Sequence, residues 1–341
     1  MKRGQPAMTE SAVHLAFPNG WYFLGFAKDL KPGAVWSRTL AGLDLVVFRT
    51  ASGQAAALDA YCPHMGAHFG HGGCVEGETL RCPFHAFLFA PTGACVATGY
   101  GTKPPPKATA RVWPLREVNG FLMAYYHAGG EAPGWEPPAY DDQGWTPLVS
   151  RAWELRGHPQ DIAENSVDLG HMGAVHLYDG VDFVEPVSVD GWRLNAHYVL
   201  HRTAEAFGHS GHKTRAEANI NVYGLGYTVA DLTVEEFGIH TRHFVFVTPI
   251  AAGKTVFRIA LALRRIRDPK RIHPLMSALP RRLLDRIVRA TAFRTFVHDV
   301  EQDFEILDHK AYLPAPRLVE GDGPIGKYRA WARQFYSEPQ R

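Results

Sequence analysis

The sequence predicts an α+β protein of two domains: an N-terminal all-β domain, then a domain in which an antiparallel sheet is flanked by helices. Three observations carry that reading. The chain is 341 residues long, against ~150 for a typical domain. Short apolar and β-branched runs bounded by Gly, Ser or Asn fill the first part. A breaker-rich stretch from Ala128 to Pro147 (AGGEAPGWEPPAYDDQGWTP) then precedes a part that mixes strand-like runs with helical periodicity. The expected domains are therefore 1–147 and 148–341.

Taken in chain order, Leu43–Thr50, Ala55–Tyr61 and Gly120–Tyr126 read as strands, and Lys103-Pro-Pro-Pro-Lys107 as a short stiff loop. Asp161–Val175 lacks proline and starts with good helix formers, so it reads as helical. Within Asn195–Leu263, the runs Tyr227–Val234, Arg242–Thr248 and Thr255–Leu263 have strand-like content. Leu279, Leu283, Ile287, Val288 and Thr291 then recur at helical spacing, and a second helical stretch continues from Thr291 to about Asp308.

Composition narrows the function. Apolar residues make up 46% and charged residues 21%, which excludes a disordered, collagen-like or coiled-coil chain. The net charge of +2 comes without a block of like charge, so nucleic acid is not an expected partner. Met1–Phe17 lacks the unbroken apolar stretch of a signal peptide, and no run of ~18 apolar residues occurs. A cytoplasmic location is expected. Four cysteines are too few for a disulfide framework in this length; clustered with histidine they point to metal.

Cys62-Pro63-His64 is followed, after 17 intervening residues, by Cys82-Pro83-Phe84-His85. One Cys and one His from each loop supply two thiolates and two imidazoles, the ligand set of a 2Fe-2S cluster with histidine on one iron. A Cys2His2 zinc site accepts the same donors, but zinc motifs commonly pair like ligands at short spacing. Cys74 and Cys95 lack such pairing and read as small buried residues, and His68 and His71 as surplus loop residues.

A second constellation lies in DIAENSVDLGHMGAVH, Asp161 to His176. Asp168 and His171 share a helix face, with Asn165 one turn earlier. His176 would fall ~140° round an ideal helix from His171, so the helix must end or distort between them if both are to face one metal. Two imidazoles and a carboxylate on one face suit a non-haem ferrous oxygenase. In the last helical stretch Asp303 falls on the apolar stripe Phe293, Phe296, Val300, Leu307, where a carboxylate is costly unless partnered. Asp299, one turn earlier, competes for the role.

YCPHMGAHFGHGG followed by RCPFH resembles the Rieske domain of Rieske oxygenases, with Ala86-Phe87 where those families commonly carry Gly-Trp. The spacing from Asp168 through His171 to His176 is similar to the iron motif of the same enzymes, and QDFEILDHK to the segment that supplies their carboxylate. The tail LVEGDGPIGKYRAWARQFY resembles the steroid- and sterol-acting members, the cholesterol 7-desaturases and 3-ketosteroid 9α-hydroxylases. In that tail Trp331, Phe335 and Tyr336 also have the spacing to pack a C-terminal helix.

The resemblance implies a Rieske 2Fe-2S cluster on Cys62, His64, Cys82 and His85, and a mononuclear Fe(II) on His171, His176 and Asp303. Asp168 would link the cluster of a neighbouring subunit to this iron in a head-to-tail homotrimer, with Asn165 as a further candidate catalytic residue. Dioxygen would be the co-substrate, and NAD(P)H would supply electrons through a separate reductase or ferredoxin. The implied reaction is hydroxylation or desaturation of a steroid or sterol. Two alternatives stand beside it: a Rieske oxygenase or O-demethylase for an aromatic or other small apolar substrate, and a Rieske electron-transfer protein. Tyr223, Tyr227, Phe237, Phe244 and Phe246 could line a cavity, but strand alternation turns only half of such residues inward, so most of them are expected in the core and none is taken as a site residue.

Overall fold

The computed structural model describes residues 16–206 and 209–337; the expectation drawn from Met1–Phe17 falls almost wholly outside them. Short strands come first: β1 (Gly20–Phe26), β2 (Val35–Leu40), β3 (Leu43–Arg49), β4 (Ala55–Asp59), β5 (Cys74–Glu76), β6 (Thr79–Arg81), β7 (Leu88–Phe89), β8 (Cys95–Ala97), β9 (Leu115–Val118) and β10 (Phe121–Tyr126). They form three small antiparallel sheets, ordered β1-β10-β9, β2-β3-β4 and β5-β6-β7-β8. Val46, Phe48, Leu58, Phe69, Leu80 and Phe89 are fully buried in one core, and Leu45 and Val47 in another with Tyr22 and Leu122, so both faces of β3 are packed.

The second half is one seven-stranded antiparallel sheet, β11-β17-β16-β15-β14-β13-β12. Its members are β11 (Val149–Arg156), β12 (Gly180–Asp190), β13 (Arg193–Ala206), β14 (His209–Tyr223), β15 (Tyr227–Val234), β16 (Ile239–Ala251) and β17 (Lys254–Leu263). Between β11 and β12 run two short helices, α1 (Pro159–Ala163) and α2 (Gly170–Ala174), joined by a 3-10 turn at Glu164–Ser166. A 29-residue helix, α3 (Arg281–His309), packs its Phe293, Phe296, Val297, Val300, Phe304 and Leu307 against the sheet. The two expected helical stretches are thus one helix, because no breaker interrupts Arg281–His309. The expected single helix over Asp161–Val175 is instead broken. Among the described residues no helix is long and apolar enough to cross a membrane.

The sheet has two differently built faces. Tyr223, Tyr227, Phe244 and Phe246 pack against Trp21, Phe23, Phe121, Met123 and Tyr125 of the first half, forming one aromatic core. None of them lines the cavity described below, in line with the expectation that most of these residues are core; Phe237 belongs to a separate core with Leu284 and Val288. Close approach fixes this junction: a Cβ at Gly226 would stand 2.5 Å from the Tyr22 ring.

The tail helix α4 (Ile325–Ala332) closes the other side. Tyr328 Oη donates to the Gln160 carbonyl (2.6 Å), and Arg329 forms a two-pronged pair with Glu164, 2.5 and 2.8 Å. Trp331 and Phe335 are buried in the same core. The tail therefore braces α1 and the turn that follows it.

Candidate active site

The two cysteine-histidine loops have a common backbone. In the first, the Cys62 N–H bonds the Ala67 carbonyl (2.8 Å) and the Gly66 N–H bonds back to Cys62 (2.9 Å). In the second, the Cys82 N–H bonds Phe87 (2.8 Å) and the Ala86 N–H bonds back to Cys82 (3.2 Å). Each loop needs a left-handed residue four positions after its cysteine, and Gly66 (φ 77°) and Ala86 (φ 54°) fill those places. Ala86 therefore carries strain that Gly66 avoids. We expect Ala86→Gly to stabilise the protein by about 1 kcal/mol in thermal unfolding, and Ala86→Val to destabilise it.

Both thiols are buried, Cys62 and Cys82 each 2% exposed, while His64 and His85 lie nearer the surface. Burial, reinforced by the neighbouring Cys82 thiol, pushes the Cys62 thiol up to about 12. The imidazole rings of His64 and His85 are 4.8 Å apart, and His64 stacks on Phe87 at 4.3 Å. His85 Nδ1 is buried without a hydrogen-bond partner. A metal ligand explains such an atom, since an orphaned buried nitrogen is otherwise unfavourable. The two-thiol, two-imidazole set thus fits a 2Fe-2S cluster. Cys74 is exposed and Cys95 half-buried, against the expectation that both are buried; Cys74 lies on a three-residue strand with only one protected face.

The second site forms where α2 faces α3. The chain leaves the helix after Ala174: Val175 caps it, so His176 lies beyond the helix end, and Leu177 follows with a left-handed φ of 58°. The rings of His171 and His176 are 5.0 Å apart. Asp303 reaches them from α3, its Oδ1 3.5 Å from His176 Nε2, and one ligand atom from each of the three lies within 4.8 Å of the others. Asp299 is turned away, with both oxygens 3.2 Å from Arg202 Nη1.

Hydrogen bonds prepare both imidazoles for a cation. The His171 Nδ1–H donates to the Asp168 carbonyl (2.7 Å), and the His176 Nδ1–H to Gln302 Oε1 (3.1 Å). A carbonyl only accepts, so each ring keeps its Nε2 lone pair for a metal. Burial alone would lower the His176 pKa, but the acceptors Asp303 and Gln302 outweigh it and raise the value. We expect Gln302→Leu to weaken mononuclear iron binding by about 10–100-fold, read by iron titration, while the cluster spectrum is unchanged.

The outer residues differ in place from the simple helical picture. Asn165 lies on the 3-10 turn and donates from Nδ2 to Asp303 Oδ2 at 3.3 Å. Asp168 precedes α2 rather than sharing it, and its Oδ1 accepts the His171 N–H at 3.2 Å. Burial would raise the Asp168 pKa, but its contacts with His171 bring it below the usual carboxylate range.

All three would-be ligands line a cavity of about 950 Å³, at the upper end of the range for small-molecule sites. Alternation along the sheet makes its wall: Ala216, Ala218, Ala230, Leu232, Val245 and Val247 face it while the aromatic residues face the other way. The small side chains of β14 and β15 create the room. Sequence reasoning missed Arg202, Thr241 and His243, which line the same space; isolated polar residues on a strand carry no spacing signal.

Residues 20–110 match the Rieske [2Fe-2S] domain, and residues 124–336 the 3-ketosteroid 9alpha-hydroxylase C-terminal domain. The cholesterol 7-desaturase of Ciona intestinalis is 31% identical over 94% of this chain and 69% of its own length. A probable 3-ketosteroid-9-alpha-monooxygenase oxygenase component of Rhodococcus rhodochrous is 30% identical over 94% of this chain and 80% of its own. Among solved structures, the Pseudomonas putida CBB5 NdmA QL mutant with theobromine superposes with a TM-score of 0.68, at 16% identity, covering 92% of this chain and 89% of that one. The chain is thus an oxidoreductase that belongs to the Rieske non-haem iron oxygenases, with a Rieske 2Fe-2S cluster and mononuclear iron as its cofactors and the 3-ketosteroid 9alpha-hydroxylase C-terminal domain as its second half.

Proposed function

We propose that this chain is the oxygenase component of a monooxygenase or desaturase that acts on a steroid or sterol. The observation that carries the substrate class is the cavity. It is largely apolar, about 950 Å³, and open to the His171, His176 and Asp303 side chains; a single aromatic ring would leave much of it to water. The named activities of the Ciona and Rhodococcus relatives, cholesterol 7-desaturation and 3-ketosteroid 9α-monooxygenation, agree with that class.

In this reading residues 1–147 form the cluster-bearing unit, with Cys62, His64, Cys82 and His85 as ligands, and residues 148–341 the catalytic one. His171, His176 and Asp303 hold the iron. When bound, the cluster supplies electrons taken from a reductase or ferredoxin, and the ferrous ion supplies a site for dioxygen. The chain's residues orient and insulate that site. Asn165 fixes the Asp303 carboxylate, Gln302 and the Asp168 carbonyl fix the imidazoles, and the apolar wall excludes water while holding the substrate. Asp168 would meet the cluster-bearing loops of a neighbouring subunit in a head-to-tail trimer.

Turnover of the reconstituted protein with a surrogate NAD(P)H-dependent reductase tests the reading. Sterols or 3-ketosteroids should consume dioxygen and yield products that have gained an oxygen atom or lost two hydrogens. Formaldehyde release from methoxyarenes, with no steroid product, would replace it with O-demethylation.

A further inference from the structure

His243 is the buried imidazole of the cavity that the metal chemistry leaves unused. It sits on β16 with Thr241 and Val245 on the same face, and is 7% exposed. Its Nε2 shares a 2.8 Å hydrogen bond with Thr241 Oγ1, and its ring packs 4.3 Å from that of Phe296 on α3. No partner holds Nδ1 among the described residues, and that atom is not sealed inside the protein. Burial holds the imidazole pKa down to about 3, so the ring is neutral.

A neutral imidazole has one donor and one acceptor nitrogen. Thr241 can donate to Nε2, leaving Nδ1–H to donate into the cavity, or accept from Nε2–H, leaving Nδ1 to accept. The pair can therefore receive a ketone oxygen in one tautomer and a hydroxyl in the other. Phe296 lies seven residues before Asp303 on α3, or about 10 Å along the axis. His243 is thus placed to hold one end of a rigid polycycle whose other rings extend over apolar wall towards the iron ligands.

We propose that His243, positioned by Thr241, is the polar anchor of the substrate and binds the oxygen on carbon 3 of a 3-ketosteroid or a 3-hydroxysterol. This rests on the steroid reading given above and names the group that the cavity recognises. The neighbours of His243 on the sheet wall, Ala230, Leu232, Val245 and Val247, are apolar, so an imidazole there is costly unless its second nitrogen gains a partner.

The test is binding to the oxidised holoenzyme, followed by tryptophan fluorescence without reductase. The probes are a 3-ketosteroid, the matching 3-hydroxysteroid and the 3-deoxy steroid of the same skeleton. Wild type should bind both oxygenated probes about tenfold more tightly than the deoxy one. His243→Leu should bind all three alike, and His243→Gln should recover most of the discrimination. In turnover, His243→Leu should raise KM for the oxygenated substrates more than it lowers kcat. Equal binding of all three probes by wild type would overturn the anchor without any variant. So would discrimination that persists in His243→Leu. If wild type binds none of the three, the steroid reading fails and the anchor fails with it.

Discussion

Asp303→Ala is expected to abolish turnover, by at least about 10³-fold, and to remove the mononuclear iron while leaving the visible spectrum of the cluster intact. Among the described residues, Asp303 is the carboxylate that α3 brings within ligand distance of His171 and His176, and removing it leaves two imidazoles that cannot complete a facial triad. Asp299→Ala serves as the control. That carboxylate is occupied by Arg202, so its loss frees an arginine in the cavity wall and should weaken substrate binding without depleting the iron. Iron analysis beside the absorption spectrum separates the two: an Asp303→Ala protein that keeps its iron, or an Asp299→Ala protein that loses it, would reverse the assignment.

Asp168→Asn is expected to keep both metals and slow turnover by about 100-fold, an effect read in single-turnover kinetics as slow electron transfer. The substitution is chosen from the geometry. The Asp168 side chain accepts the His171 backbone N–H, while its own backbone carbonyl receives the His171 ring N–H. Asparagine retains an oxygen for the first bond and leaves the second untouched, so it removes charge without removing the support. Asp168→Ala would lose that support as well, at about 1 kcal/mol for the hydrogen bond. Comparison of the two variants thus separates positioning of His171 from the route for electrons. Unchanged single-turnover rates in Asp168→Asn would refute the route.

Much of this organisation is legible in the sequence because the relevant signals are local. Two cysteine-histidine loops, the strands Tyr227–Val234 and Thr255–Leu263, and a carboxylate set in an apolar helical stripe all follow from short-range spacing. The strand at Tyr227–Val234 agrees with expectation residue for residue. What escapes is long-range. The direction of each strand face decides whether Tyr227 or Thr228 meets the cavity, and the packing of the first half against Tyr223, Tyr227, Phe244 and Phe246 makes that decision. Helix continuity through Thr291 was likewise hidden, because a β-branched residue has weak propensity yet is readily carried inside a well-packed helix. The role of the tail is also tertiary. Its hydrogen bonds to Gln160 and Glu164 reach the segment that bears the histidines across more than 160 residues of chain.

Two metal centres in one chain is the claim on which the rest depends. The most direct test is iron and acid-labile sulfide analysis of anaerobically purified, iron-reconstituted protein, with electron paramagnetic resonance of the reduced state. About three irons and about two sulfides per chain, with the signal of a histidine-ligated 2Fe-2S cluster, are predicted. Two irons and two sulfides would mean that His171, His176 and Asp303 hold nothing, and would contradict the account.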